Sequence, residues 1–258
     1  MKKLLLISAL GFIALSIGSC SKKENLGVPV SSSTNSKTKS KELGSTVAKA
    51  LKDYASARNG GSGNATRDFS NPALNYTTYS TPSANVYKWS DPSTGTVFTF
   101  SESTGGSGLG QLAYNGKSFD YNYVLAIKTT EGDATWDGFL NGRELRGVVA
   151  IDGELMDADF NLKNLAIFLV ATKGGSGTYK FLDWDTSSLG DGDGIGELLD
   201  FSDVKKPTLD AMNDAKFYVT SKGSVIVSDN SFEMGSDAKV KDVDTKVSYS
   251  INGSIMFE

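Results

Sequence analysis

Histidine is absent from this sequence, and Cys20 is its single cysteine. Without histidine the chain cannot build a Ser-His-Asp or Cys-His catalytic group, and it has no imidazole ligand for zinc or haem. The side chains left for chemistry are carboxylates and Ser-Lys pairs. The carboxylates are concentrated between residues 183 and 203, where seven acidic residues and no basic residue occur.

The centre of this acidic stretch reads Asp191-Gly192-Asp193-Gly194. Neighbouring carboxylates repel one another unless a cation neutralises them. Carboxylates at alternating positions, with a glycine for the sharp turn, are the arrangement by which calcium loops surround their ion. The stretch resembles the calcium loops of EF-hand proteins, dockerins and thrombospondin type 3 repeats, over about twelve residues.

This resemblance implies a set of calcium ligands when Gly194 takes the glycine position of the loop. The implied ligands are Asp185, Asp191, Asp193, Ile195 (through its carbonyl), Glu197 and Asp200. The sequence departs from the pattern at Leu189, which occupies the first ligand position, so Asp185 or Asp183 would have to replace the missing carboxylate. The alternative, an acidic and glycine-rich surface loop between strands, stays open.

A second group of acids lies at Asp152, Glu154, Asp157 and Asp159. Two facing carboxylates about 5–10 Å apart can catalyse glycoside hydrolysis. The competing interpretation is the solvated face of a strand, where acidic residues are common. Trp136, flanked by polar and turn-forming residues, is the aromatic side chain best placed to be exposed and to stack on a sugar.

The beginning of the chain has the pattern of a secretory signal peptide. Lys2 and Lys3 precede an apolar run from Leu4 to Ile17, which is shorter than the about 20 residues of a membrane span. The run ends in Ile17-Gly18-Ser19-Cys20, which resembles a lipobox. The resemblance implies a bacterial lipoprotein in which residues 1–19 are removed and Cys20 is lipidated. An ordinary signal peptide with a chance cysteine is the alternative.

The lipobox implies a location in the bacterial cell envelope, with the lipid anchor as the membrane partner. Residues 21–25 look like the charged start of lipoproteins that some Gram-negative bacteria carry to the cell surface. We therefore expect the outer membrane, and either its periplasmic or its external face.

Residues 20–43 are predicted to be a flexible tether, because they contain almost nothing that a core could bury. This segment carries five lysines and two glutamates scattered among small polar residues. Residues 44–60 follow as a short helix, with Val47, Leu51 and Tyr54 on one face. The glycines that begin at Gly60 end it.

The remainder, residues 70–258, is predicted to be one antiparallel β domain. Residues Phe119 to Ile127 and Val243 to Phe257 alternate between apolar and polar, and Leu165 to Val170 is apolar throughout, as in a central strand. The hairpin-like dipeptides are Asn115-Gly116, Asn141-Gly142, Asp152-Gly153 and Asn252-Gly253. Not all of them can be turns, because the alternation continues in phase on both sides of Gly253, which favours a bulge or a close backbone contact there. A single antiparallel β-sandwich or jelly roll is our first expectation, and a closed β-barrel the second.

Charge and composition restrict the function. The mature chain would carry 24 basic and 30 acidic residues, and an acidic domain does not follow the phosphates of nucleic acid. We expect a non-enzymatic binding or surface-interaction module, stabilised by calcium, with a protein or glycan partner. The alternatives are a carboxylate-dependent carbohydrate-active enzyme and a β-barrel carrier of a hydrophobic ligand.

Overall fold

The structure of the protein is a computed structural model. It describes residues 75–91, 96–105, 108–129, 144–156, 159–172, 175–183, 190–207, 211 and 214–258. The predicted signal peptide, the tether, the short helix at 44–60, Cys20, Trp136 and the dipeptide Asn141-Gly142 lie outside these residues. No described segment forms a helix long and apolar enough to span a membrane.

Fifteen β-strands are assigned within the described residues. In chain order they are β1 (Asn75–Ser80), β2 (Ala84–Asp91), β3 (Thr96–Ser103), β4 (Gly110–Tyr114), β5 (Lys117–Asp120), β6 (Tyr123–Thr129), β7 (Glu144–Met156), β8 (Asp159–Thr172), β9 (Gly177–Phe181), β10 (Asp193–Asp200), β11 (Lys216–Lys222), β12 (Ser224–Val227), β13 (Ser231–Met234), β14 (Lys239–Asp242) and β15 (Ser248–Met256).

These strands form one large sheet. Its order is β1-β2-β3-β6-β7-β8-β10-β11-β14-β15-β13-β12-β9, and β4 pairs with both β15 and β5. The strand pairs whose register is given by the structure are antiparallel, with one exception. There, β9 pairs in parallel with the start of β10, at Asp193 and Gly194. The all-β, antiparallel prediction is confirmed for this part of the chain.

The main core combines side chains from distant parts of this strand order. Val86 of β2 and Ala126 of β6 belong to the same buried cluster as Phe232 of β13 and Ile255 of β15. The sheet therefore folds over so that two parts of it share one apolar interior, which is consistent with a β-sandwich. Among the described strands β1 pairs with β2 alone, while β9 at the other end of the order pairs back with β10.

The central strands carry buried side chains on both faces. In β8 every residue from Leu165 to Ala171 is buried, as the continuous apolar run predicts. Alternate residues such as Ala166 and Phe168 belong to the main core cluster. Their neighbours, including Ile167, point to the opposite face and are also buried.

Three of the glycine dipeptides can be compared with the structure. Asn115 and Gly116 both have positive φ and join β4 to β5, as predicted for a tight hairpin. Gly253 lies within β15 with a φ of 113°, and a Cβ there would lie 1.9 Å from the carbonyl oxygen of Gln111. It therefore marks the close backbone approach that its position in the strand pattern indicates. Asp152-Gly153 is not a turn, because both residues lie within β7.

The chain divides into two compact units. One consists of 73–153, 162–203 and 215–258, and it contains almost all of the sheet described above. Of the other, the structure describes only the end of β7, the start of β8, residues 204–207 and residues 211 and 214. Every site discussed below lies in the first unit.

Candidate functional site

A cavity of about 240 Å³ opens in the first unit, and we call it the edge cavity. One wall consists of two cross-strand rows on β2, β3, β6 and β7. The first row is Lys88, Thr99 and Ala126, and the second is Val97, Lys128 and Arg146. Residues directly opposite in an antiparallel sheet point to the same face, and this is why residues far apart in sequence meet here.

The other side of the edge cavity comes from the end of the chain and the β12–β13 turn. It is formed by Asp229, Phe232, Phe257 and Glu258. The rings of Phe232 and Phe257 are packed with centroids 6.1 Å apart. The Phe257 backbone is fixed over β3, because its carbonyl oxygen accepts a hydrogen bond of 2.6 Å from Ser101 Oγ. Both sides of the cavity thus combine apolar and charged residues.

Arg146 is the least exposed charged group of the edge cavity, with a side chain that is 7% exposed. Its Nε donates a 2.6 Å hydrogen bond to Glu144 Oε1, and the same carboxylate accepts Lys128 as an ion pair at 3.4 Å. Burial lowers the pKa of Arg146, but the hydrogen bonds and charges of Glu144 and Asp229 outweigh burial and raise it. The guanidinium is therefore a fixed positive charge.

The outer charges of the edge cavity are ion-paired across the cavity entrance. Lys88 Nζ donates to Glu258 Oε1, and Tyr79 Oη donates to the same oxygen at 2.7 Å. Asp229 Oδ1 accepts from Arg146 Nη1 at 3.3 Å, although the Asp229 side chain is 88% exposed. Lys88 and Tyr79 lower the pKa of Glu258, against a rise from its partial burial, so this acid stays ionised.

A second polar group surrounds Asp200 at the end of β10. The Asp200 side chain is fully buried, and its Oδ2 accepts a 2.7 Å hydrogen bond from Lys117 Nζ. Its Oδ1 accepts from the Ser202 backbone N–H at 2.9 Å and from the Ser202 hydroxyl. Lys117 also donates to Ser202 Oγ, so a Ser-Lys pair is present. Since the lysine donates and the hydroxyl proton points to Asp200, this geometry holds the loop after β10 rather than activating a nucleophile.

Two buried tyrosines share one buried asparagine beside this group. Tyr121 Oη donates to Asn164 Oδ1, and Asn164 Nδ2 donates to Tyr114 Oη. Tyr114 in turn packs edge-on against Tyr218, with ring centroids 5.2 Å apart. Burial raises the pKa of Tyr114 and Tyr121 far above the usual range, so both remain neutral hydrogen-bonding groups. We assign this network a structural role that links β4, β8 and β11.

Glu197 is an isolated carboxylate in the middle of β10. It is 2% exposed, and its register partners are Ile167 and Val219. Its Oε2 is the one buried side-chain polar atom in the described part of the chain that has no hydrogen-bond partner. Burial raises the pKa of Glu197 to about 8, so it is predominantly protonated at neutral pH. A neutral acid costs far less to bury than an ion.

The structure places four of the predicted calcium ligands, Asp193, Ile195, Glu197 and Asp200, on a strand. Asp193 to Asp200 form β10, because the apolar residues Leu198 and Leu199 pair with β8 on one side and β11 on the other. The expectation that the acidic loop continues to residue 200 is therefore wrong. Glu197 and Asp200 differ by three positions along this strand, so their side chains point to opposite faces. These two carboxylates do not share an ion.

The other predicted ligands lie at or before the start of β10. Asp191 is exposed in the preceding turn, Ile195 is half-buried, and Asp193 Oδ2 accepts a 2.8 Å hydrogen bond from the Gly190 N–H. Asp185 lies outside the described residues. Within the described part of the chain no three acidic side chains are grouped as a metal site. The calcium prediction now depends on Asp185, Asp191 and Asp193.

Of the four acids near Asp152, the structure describes the side chains of Asp152 and Glu154. Asp152 is half-buried, and burial raises its pKa to about 6, with Asp120 adding to the rise and Lys163 opposing it. Glu154 is exposed, Asp157 lies outside the described residues, and the side chain of Asp159 is likewise not described. Asp152 is therefore a half-buried acid with a raised pKa, with Lys163 and Asp120 as charged neighbours.

Sequence reasoning did not find the edge cavity. The signal available in the sequence was Glu144-Leu145-Arg146, at the start of an apolar strand. Glu144 and Arg146 have opposite charges and are two residues apart, so their side chains lie on the same face of the strand. The partners Asp229 and Glu258 could not be assigned, because they come from more than 80 residues further along the chain.

The chain was compared with protein-family models, with curated proteins and with solved structures, and none of the three comparisons finds a match.

Proposed function

We propose that this protein is an extracytoplasmic lipoprotein, anchored through Cys20, whose β domain is a non-enzymatic binding module with the edge cavity as its ligand site. The observation that carries the binding proposal is Arg146, a nearly buried cation on the wall of a cavity whose lining also includes the apolar side chains of Ala126 and Phe257. Ligand sites typically combine apolar walls with a few fixed polar groups that set orientation.

The support for a binding site is the rigidity of its walls. One wall consists of paired strands of the sheet, and the other side is held by the Ser101–Phe257 and Phe257–Asn230 hydrogen bonds. A site whose walls do not reorganise loses little conformational entropy when a ligand enters. The volume of about 240 Å³ equals that of about eight liquid water molecules. The ligand is therefore small, or it is one side chain or terminal group of a larger partner.

The anchor is supported by the sequence alone, through the apolar run and the lipobox-like ending at Cys20. A single lipid-modified residue carrying two or more acyl chains holds a domain stably at a membrane. The predicted tether at 20–43 would hold the binding domain away from the bilayer surface. The outer membrane remains the expected location, and a protein or glycan remains the partner class expected if the ligand belongs to a larger molecule.

The binding proposal is tested by filling the edge cavity. Ala126 lines it and is buried, so Ala126→Leu adds volume inside the cavity, whereas Thr178→Leu adds the same side chain at an exposed position of β9. We expect benzyl alcohol, used as a small apolar probe in equilibrium binding, to bind wild type and Thr178→Leu equally. Binding to Ala126→Leu should be lost. Equal binding to all three proteins, or binding to none, would contradict the proposal.

A further inference from the structure

We propose that the edge cavity recognises a small organic carboxylate with an apolar body, and that Arg146 binds the carboxylate. This inference rests on the proposed function, because it names the ligand class of the same cavity. It goes further by assigning a recognition group, a competing internal anion and a charge preference.

Arg146 has donors available in addition to its internal contacts. Nε is used by Glu144, and Nη1 donates to the Ser228 carbonyl oxygen and to Asp229, both at 3.3 Å. Among the described residues, no group accepts a hydrogen bond from Nη2. The guanidinium is planar and its donors form a rigid fork, so it is suited to a carboxylate. Glu144 positions it, since a side chain fixed through Nε cannot swing out of the cavity wall.

Both cations and acids surround the cavity. Three cations line it, Lys88, Lys128 and Arg146, against two acids, Asp229 and Glu258. The acid that balances Lys128 and Arg146 is Glu144, which is itself outside the cavity lining. With Glu144 counted, three acids balance the three cations, so the attraction of a ligand carboxylate depends on the donors of Arg146 and not on a net charge of the cavity.

Asp229 is the internal anion that such a ligand would replace. Its contact with Arg146 is long, at 3.3 Å, and its side chain is 88% exposed. Exposed ion pairs contribute little, because water competes for both partners. The carboxylate of a ligand seated in the cavity would be more strongly bound, because the surrounding walls exclude water.

The apolar body of the ligand would contact the aromatic wall. Phe257 and Ala126 both line the cavity, and Phe257, which is 8% exposed, offers more accessible surface than Phe232, which is 1% exposed. A molecule with one carboxylate at one end and one ring or a short chain at the other fits both sides of this cavity. A long acyl chain does not fit within about 240 Å³.

The test compares phenylacetate with phenylacetamide, which has the same shape without the charge. We expect calorimetric titration of the full mature domain to show phenylacetate binding about tenfold more tightly, since hydrogen bonds to charged groups are about twice as strong. Asp229→Asn removes the competing anion and should tighten phenylacetate binding by about two- to fivefold, the size of an exposed ion pair. Asp237→Asn removes an acid that does not line the cavity and should change nothing.

Arg146→Lys tests the same proposal by weakening the recognition group. It keeps the charge but removes the fork, and we expect weaker phenylacetate binding with phenylacetamide binding unchanged. Equal binding of the two probes, with both lost in Ala126→Leu, would overturn carboxylate recognition while leaving the cavity as the binding site. Failure of both probes to bind wild type would overturn both proposals. Equal tightening by Asp229→Asn and Asp237→Asn would show an effect of overall charge and would also contradict the role of Arg146.

Discussion

Lys128 of β6 and Arg146 of β7 are directly opposite each other in the antiparallel register, so two cations occupy one cross-strand pair. Like charges in that position normally destabilise a sheet. Here a single carboxylate compensates both cations, because Glu144 pairs with Arg146 through Oε1 and with Lys128 through Oε2. The consequence is a pair of cations held at the wall of the edge cavity, with their shared counter-ion outside its lining.

The buried Glu197 should make the stability of the protein depend on pH. Its pKa is about 8 in the folded state against the ordinary 4.5, so the folded state holds an extra proton between these values. Stability from this group is therefore full below about pH 4.5 and is lost as the pH rises through 8. Glu197→Gln removes the titration. Relative to wild type, its free energy of unfolding should rise by on the order of 3 kcal/mol between pH 5 and pH 8.

Chemical denaturation of both proteins at the two pH values measures this difference. Glu233→Gln, at an exposed position of β13, controls for the substitution itself. A constant difference between Glu197→Gln and wild type across this range would show that the carboxylate is solvated or paired in the folded protein.

The Lys117–Asp200 ion pair should stabilise the fold far more than the nearby Lys216–Asp203 pair. Asp200 is fully buried, whereas Lys216 and Asp203 are both more than half exposed. Lys117→Met leaves the Asp200 carboxylate buried without its cation. We expect a loss of about 2–4 kcal/mol, below that of a wholly buried pair because Lys117 is partly exposed.

Lys216→Met is the matched control, and it should change stability only slightly, because exposed pairs contribute little. Urea unfolding of the two variants measures which substitution lowers the free energy of unfolding more. Comparable losses in both would mean that Asp200 is hydrated and does not depend on Lys117.

The central strands and several turns could be predicted from the sequence because their signals are local. The apolar run from Leu165 to Val170 needs no partner to be recognised, and the positive φ of Asn115 and Gly116 follows from their residue types. The strand at Asp193 to Asp200 was misread because its glycines and acids resemble a turn. Its pairing with β8 and β11 decides its conformation. That pairing cannot be predicted from the residues of the strand and their immediate neighbours in sequence.

The candidate site could not be predicted for a related reason. Arg146 and Asp229 are separated by 83 positions, and Lys88 and Glu258 by 170. Their proximity depends on strand order and register, which the sequence pattern of each strand leaves open. Among the described acids of this stretch, Glu197 is a buried neutral acid, Asp200 is an ion-pair partner and Asp193 accepts a hydrogen bond in the turn before β10.

Calcium remains a prediction for the beginning of β10. If a cation binds there, melting temperature should rise at millimolar calcium, the range of about 10⁻⁴–10⁻³ M typical of weak extracellular sites. The rise should vanish in Asp193→Ala. It should survive Asp200→Asn, because Asp200 is occupied by Lys117 and Ser202. The calcium prediction would be contradicted if calcium did not change the melting temperature. It would also be contradicted if the rise in melting temperature were lost in Asp200→Asn.

The anchor is tested by Cys20→Ser, compared with Ser21→Ala as the matched control. We expect wild type and Ser21→Ala to incorporate labelled fatty acid and to partition into detergent. Cys20→Ser should do neither, because Cys20 is the only thiol in the chain. Lipid label retained in Cys20→Ser would disprove the lipobox assignment.

The central claim, that the edge cavity is the binding site, is tested most directly by mapping phenylacetate onto the backbone amides by nuclear magnetic resonance. We predict that the amide shifts that change most belong to Thr99, Ala126, Gly147, Asp229 and Phe257, which line the cavity. Amides of the Lys117–Asp200 group and of the β10 start should stay unchanged. Shifts concentrated at those other positions, or no shifts at saturating phenylacetate, would contradict the claim.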